Sequence, residues 1–426
     1  MEHPGRTPCL VFANQKGEIL DFPGLSMAGR SCESISRPSR DDLIPLPTGS
    51  ELFVLPDRIP VGIEKDGKTV TLAENPYNPA EEVQAVAAFM APAHTAIHTA
   101  AYKTIHKEAS PLPLFAYTAV GWHQGRFWVT AFRSDPDHRQ DADRFDSKKI
   151  ERQTIKRLKD QPDNRLVQHL GKCCLTYGCP AARNYFLARW EAPLPSSPAC
   201  NADCVGCISL QASGCCPATQ DRIKFVPTPA EITAVAVPHL NKAPRPIVSF
   251  GQGCEGEPLL QEKTIAEAIR LIRSRTGKGT INLNSNASIP GAVESLAHAG
   301  LDSIRVSMNS ARKREHSMYY RPKGFDLDSV CQSIEIMKNR KRFVSLNYFI
   351  LPGFTDAPLE FSALCGLLER YQPDMIQLRN LNMDPDLYFR SVGHTCENPI
   401  GMRRWHQQLQ KLFPALRFGY FNPPLK

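Results

Sequence analysis

From about Thr228 onward, apolar positions follow a helical period and a strand period in turn. Thr228-Pro229-Ala230-Glu231 reads as a capping box with proline at the first helical position, opening a helix that runs to about Leu240. The short apolar run Ile247–Phe250 predicts a strand. Leu259–Arg275 brings Ile265, Ile269 and Ile272 to one helical face. Strands are predicted at Thr280–Leu283, Ser303–Met308, Phe343–Ile350 and Met375–Leu381. Helices fall at Gly291–Ala299, with Gly300 as its C-cap, at Asp326–Lys341, at Leu359–Tyr371 and finally at Met402–Leu412. Parallel strands joined by crossover helices satisfy this rhythm. With Leu187–Ala192 as the first strand, the prediction is an α/β fold, a partial (βα)6 TIM-like barrel. Its chemistry belongs at the C-terminal ends of the strands.

The first third has shorter apolar runs. Strands are predicted at Glu51–Leu55, Thr69–Leu72, Leu114–Ala119 and Arg126–Phe132, the last two flanking a Gly121 to Gly125 turn. A helix is expected near Ala80–Phe89, and the charged stretch 135–163 reads as a linker that becomes helical. The expected organisation is an N-terminal α+β domain over 1–165, then a cysteine-rich segment over 166–227 with the first barrel strand. Residues 228–426 form the remainder of the barrel and a C-terminal helix.

The 426 residues are 42% hydrophobic, enough for a sizeable core. A net charge of +8 is spread along the chain, a mild bias toward anionic partners and not the footprint of a dedicated nucleic-acid binder. No run reaches the roughly 18 apolar residues of a membrane span, and Met-Glu-His-Pro-Gly-Arg lacks an apolar signal core. A cytoplasmic protein without membrane contact is expected. There the 14 cysteines are a poor fit to a disulfide framework, and their crowding between Cys173 and Cys216 points to thiolate ligation.

Cys200-Asn201-Ala202-Asp203-Cys204-Val205-Gly206-Cys207 carries the strongest signal. Three thiolates on one tight loop suit three irons of a 4Fe-4S cube with the fourth iron open, or a zinc ion completed by a cysteine such as Cys179 or Cys216. The segment resembles the signature of the radical S-adenosylmethionine (SAM) superfamily, Cys-x3-Cys-x2-Cys after the first strand of a partial barrel. The likeness extends over roughly residues 185–385.

That resemblance implies further roles. Gly256 and Glu257 of Gln252-Gly253-Cys254-Glu255-Gly256-Glu257-Pro258 match the family segment that binds the SAM amino group, with Glu255 in place of its first glycine. Ser307 and Asn309, ending the fourth strand, correspond to polar positions that bond the SAM ribose, and Asn284 ends the third strand. Gly353 lies where the family backbone approaches the adenine, whereas Gly206 replaces the aromatic residue many members carry before the third cysteine. The implied activity is reductive cleavage of SAM at the 4Fe-4S cluster, giving a 5′-deoxyadenosyl radical that modifies a substrate, conceivably a peptide or another macromolecule. The implied partners are SAM and an electron donor such as flavodoxin or ferredoxin.

Cys173, Cys174, Cys179, Cys215 and Cys216 are candidates for an auxiliary Fe–S cluster or zinc ion. The loop Ala311–Gly324, with Arg312, Lys313, Arg314, Arg321 and Lys323 beside Tyr319 and Tyr320, is a candidate clasp for an anionic substrate. His94 and His98 stand at a helical metal-binding spacing but without a matching carboxylate or thiol. The competing reading is a zinc-stabilised, non-catalytic binding or regulatory protein.

Overall fold

The computed structural model describes residues 7–106, 109–211, 214 and 216–425. Its second half is built on a seven-stranded parallel sheet in sequential order. The strands are β1 (Glu191–Pro193), β2 (Ile247–Phe250), β3 (Thr280–Ser285), β4 (Ser303–Met308), β5 (Phe343–Ile350), β6 (Met375–Asn380) and β7 (Arg417–Gly419). Six were expected, and β7 is an addition at the β6 edge, paired Met375 to Arg417. The first strand is shorter and later than Leu187–Ala192, because Ala188 and Trp190 adopt positive φ and break the extended run.

Alternation along each strand sorts the side chains. Val248, Phe250, Ile281, Leu283, Ile304, Val306, Leu346 and Leu378 are fully buried in one core with the helices. Their neighbours Asn284, Arg305, Ser307, Asn347 and Arg379 line an interior cavity. Register sets these polar residues beside each other across strands: Asn284 opposite Arg305, Ser307 opposite Asn347.

Helices α1 (Ser147–Asp160), α2 (Arg165–Leu175) and α3 (Pro180–Phe186) precede the sheet and pack into the same core through Ile150, Leu166, Leu170 and Tyr185. The crossover helices are α4 (Pro229–Lys242), α5 (Glu262–Arg275) and α6 (Pro290–Ala299), then α7 (Lys313–Tyr320), α8 (Leu327–Asn339) and α9 (Pro358–Tyr371). Two more, α10 (Pro385–Val392) and α11 (Met402–Leu412), lie between β6 and β7. Thr228 and Glu231 form the expected capping box on α4, and Gly300 caps α6 at φ +114°.

The N-terminal part is a β structure, with an antiparallel sheet of eleven strands and a smaller one of three. No α-helix precedes Ser147 among the described residues, so the helical part of the 1–165 expectation is α1 alone, within the charged stretch 135–163. Residues expected as a helix near Ala80–Phe89 instead hold the strand Gln84–Phe89, which pairs with Glu51–Leu55 and with Cys9–Ala13. Pairing on both edges overrides the helical propensity of its alanines. Arg126–Arg133 forms the expected hairpin strand, but its partner is Val120–His123, not Leu114–Ala119.

This β body docks directly on the barrel. Arg58 Nη2 meets Asp384 Oδ2 at 3.1 Å, Arg30 pairs with Asp386, and the Ala96 N–H donates to Asn380 Oδ1 at 2.9 Å. Cys32 and Cys396 form a disulfide with Cα atoms 5.9 Å apart, although the cysteine usage argued against disulfides. No described helix is long and apolar enough to cross a membrane.

Candidate active site

The loop after β1 is held on two sides. The N–H groups of Asp203 and Val205 donate to the carbonyls of Tyr320 and Tyr319 at the end of α7, both at 3.0 Å. On the other side, the Gly256 and Glu257 N–H groups donate to the Ser197 and Ala199 carbonyls at 2.7 and 2.8 Å. A Cβ on Gly256 would lie 1.9 Å from the Ala199 oxygen, so the two loops meet only because this residue is glycine. Cys200, Cys204 and Cys207 then line one cavity of about 360 Å³ at the C-terminal ends of the strands. As a donor set, three soft thiols on one loop fit a 4Fe-4S cluster with one iron left open.

Two buried carboxylates brace this region. Glu255 accepts from the N–H groups of Ser196 (2.7 Å), Ser197 (3.0 Å) and Gln252 (2.7 Å). Glu257 accepts from Ser285 Oγ (2.6 Å) and the N–H groups of Leu259 (3.0 Å) and Asn286 (2.9 Å). Burial pushes both carboxyl groups up to about 7, against the pull of these donors. Glu257 reaches the cavity wall, but its carboxylate chiefly ties the β2 and β3 loops together.

The positions singled out in sequence divide. Gly256, Glu257, Asn284 and Ser307 line the cavity. Asn309 does not: β4 ends at Met308, and its Nδ2 donates to the Glu315 carbonyl (3.1 Å) and Tyr388 Oη (3.2 Å). Gly353, at φ +89°, faces the β body, where a Cβ would lie 2.2 Å from the Cys32 nitrogen. The glycine there serves domain docking. Gly206 lines the cavity beneath Tyr319, whose Oη would lie 3.0 Å from an added Cβ. Tyr319, on α7, thus lines the cavity beside position 206.

The basic loop is helix α7, and its cations are engaged. Arg312 bridges Glu360 (3.0 Å) and Glu315 (3.2 Å), Lys313 meets Asp328 (2.5 Å), Arg314 meets Glu315 (3.5 Å) and Lys323 meets Asp203 (2.8 Å). Arg321 instead lines a side pocket with Cys204 and Arg222. The cations lining the main cavity are Arg305 and Arg379, which sequence reading did not single out for charge. Their Nε atoms are buried without a hydrogen-bond partner, and neither has an ion-pair partner among the described residues. Arg379 stacks over Tyr420 at 4.0 Å, while Arg305 reaches Gln377 Oε1 at 3.4 Å. Burial, then the charge of Arg379, pushes Arg305 down to about 9. The signal in sequence was the polar period of two: Arg305 alternates with Ile304 and Val306.

Of the auxiliary cysteine candidates, the four that are described do not all gather, although Cys179 lies beside Cys173, its N–H donating to the Cys173 carbonyl at 3.0 Å. Cys215 lies outside the described residues. Cys174 Sγ contacts Thr154 Oγ1 at 3.4 Å, and Cys216 sits in a separate cluster with Leu114 and Tyr319. His94 and His98 lie on and beyond a strand, so helical pairing is lost, and His94 Nδ1 sits 3.0 Å from the Pro92 carbonyl.

Residues 194–364 match the family model described as the Radical SAM superfamily. A probable dual-specificity RNA methyltransferase RlmN of Synechococcus sp. (strain JA-2-3B'a(2-13)) is 26% identical over 160 residues, 37% of this chain and 45% of the relative. The match thus spans less than half the relative's length. A radical SAM methyltransferase from Sphaerobacter thermophilus aligns at 13% identity and a TM-score of 0.39 over 53% of this chain and 64% of that one. SuiB of Streptococcus suis, solved with precursor peptide SuiA, aligns at 12% identity and a TM-score of 0.38 over 59% and 52%.

Proposed function

We propose that residues 194–364, which match the Radical SAM superfamily model, are the catalytic domain of an enzyme that cleaves SAM reductively and modifies an anionic substrate in the cavity at the strand ends. One observation carries this reading: the three-cysteine loop, the Gly256–Glu257 segment and the two arginines open on the same cavity. Cys200, Cys204 and Cys207 would hold three irons of a 4Fe-4S cluster. When bound, cluster and SAM supply a one-electron cleavage that yields a 5′-deoxyadenosyl radical, with the electron coming from a donor such as flavodoxin or ferredoxin.

The chain's own residues then have separate tasks. Glu255 and Glu257 fix the loop backbones, so that the N–H and C=O groups near Gly256 are preorganised. Asn284 and Ser307 offer hydrogen bonds to a polar ligand, and Tyr319 offers the aromatic face. Arg305 and Arg379, deep between β4 and β6, bind an anionic group of the substrate and hold it in line with the cluster loop. Among the described residues Glu191 is the carboxylate that acts on Arg305, and it also accepts from Ser249 Oγ and Asn422 Nδ2 (2.7 Å), so two guanidinium groups face one carboxylate.

We carry forward the three-part division at 1–165, 166–227 and 228–426 with one shift: α1 belongs to the barrel core, so the N-terminal body ends before Ser147. That body presents the substrate. A cytoplasmic setting suits the thiols of the cluster loop, Cys200, Cys204 and Cys207. The match to the Synechococcus chain favours methyl transfer as the reaction class.

Anaerobic reconstitution tests the reading. A brown protein is expected that releases 5′-deoxyadenosine from SAM under strong reductant, with absorbance and product both lost in Cys204→Ala. SAM labelled in its methyl group separates methyl transfer from hydrogen abstraction alone. A colourless wild-type protein that forms no 5′-deoxyadenosine overturns the proposal and leaves the zinc-stabilised, non-catalytic alternative.

A further inference from the structure

Away from the cavity, three groups with metal-binding atoms converge where α2 meets the loop after β2. His169 and Cys173 stand four residues apart on α2 and so share a face, with Cys173 Sγ 3.6 Å from His169 Nε2. Cys254 approaches from the opposite side, and the three ligand atoms all lie within 4.8 Å of one another. Cys173 and Cys254 are buried, and His169 is half-buried. Cys254 lies 81 and 85 positions beyond Cys173 and His169, so the fold, and not a local motif, completes the cluster.

We propose that His169, Cys173 and Cys254 bind a zinc ion that fastens the β2 loop to α2. The donor chemistry selects the metal. Two thiolates and one imidazole supply three of the four positions of tetrahedral zinc, the fourth falling to water, whereas an iron–sulfur cluster asks for three or four thiolates. Four features place the role. Cys254 does not line the cavity, so the ion stands behind the active site. The same loop carries Glu255, Gly256 and Glu257 to the cavity wall. The backbone around Cys254 is tied down by the Ile223 N–H donating to its carbonyl at 2.8 Å. Cys179, at the start of α3, donates its N–H to the Cys173 carbonyl at 3.0 Å and braces the α2 end of the site. The ion positions the loop and touches no reacting atom. This site differs from the five-cysteine grouping expected from sequence: it keeps Cys173, recruits His169 and Cys254, and releases Cys174 and Cys216.

The test separates this zinc from the catalytic cluster. The full chain carrying Cys200→Ala, Cys204→Ala and Cys207→Ala is purified anaerobically, and its metal is measured by mass spectrometry. Stoichiometric zinc is expected, falling to background when Cys173→Ser or Cys254→Ser is added and persisting with Cys365→Ser. Replacement by Co(II) gives an independent readout. Thiolate-to-cobalt charge transfer should weaken in each cysteine variant, while His169→Gln should keep that band and release the metal more readily to chelator. In the cluster-bearing enzyme, Cys254→Ser should weaken SAM binding about tenfold. Absence of zinc from the parent, unchanged zinc in both serine variants, or a Cys173–Cys254 disulfide in peptide maps would overturn the proposal whatever the fate of the cluster.

Discussion

At the scale of single residues, the site depends on close approaches that only glycine permits. A Cβ on Gly256 meets the Ala199 oxygen at 1.9 Å, and one on Gly251, at φ +76°, meets the Asn284 oxygen at 1.6 Å. Gly256→Ala is expected to push the cysteine loop off its partner, costing about 2–4 kcal/mol of stability and lowering cluster content on reconstitution, measured as iron per chain. The arginines make a different prediction. Arg379→Gln should leave SAM cleavage without substrate unchanged, because the residue contacts no part of the cluster loop. It should raise the KM for an anionic substrate tenfold or more, the scale of one charged hydrogen bond, about 1.5–3 kcal/mol. The cysteine triad was legible because its spacing is itself the chemistry. Arg379 was legible as a polar strand-end position, but Arg305 and His169 were not, because their significance comes from residues distant in sequence that the fold sets beside them.

Among elements, the parallel sheet was legible strand by strand, since in β4 and β5 apolar core positions alternate with polar positions that face the cavity. The helix expected near Ala80 failed because alanine favours helices in isolation, and nothing local reports two flanking strands. Helix α7 was hidden inside a charged stretch whose cations pair with Glu315, Asp328, Glu360 and Asp203, three of them on other elements. Helix α10 shows how an element end can serve an interface. Asp384 caps it by accepting from the Asp386 and Leu387 N–H groups (2.8 and 3.2 Å). From the β body it also accepts from Arg58 Nη2 and the Leu112 N–H (3.1 and 2.9 Å). Asp384→Ala leaves Arg58 buried and uncompensated, so a loss of about 3–5 kcal/mol is expected in urea unfolding, whereas Asp384→Asn should retain the cap and lose less.

Across the whole molecule, the β body is joined to the barrel by ion pairs, by strand-edge hydrogen bonds and by one covalent bond. Its placement explains Gly353, which read as an adenine contact in sequence and proves to be where Cys32 comes to rest. The disulfide between Cys32 and Cys396 spans 364 positions. In its oxidised form the chain is therefore closed into a covalent ring between these two residues, and one cut within the ring opens it without dividing it. Brief trypsin treatment at the exposed Arg144 or Lys148 should give a species that runs as one chain on a non-reducing gel and as two after thiol is added.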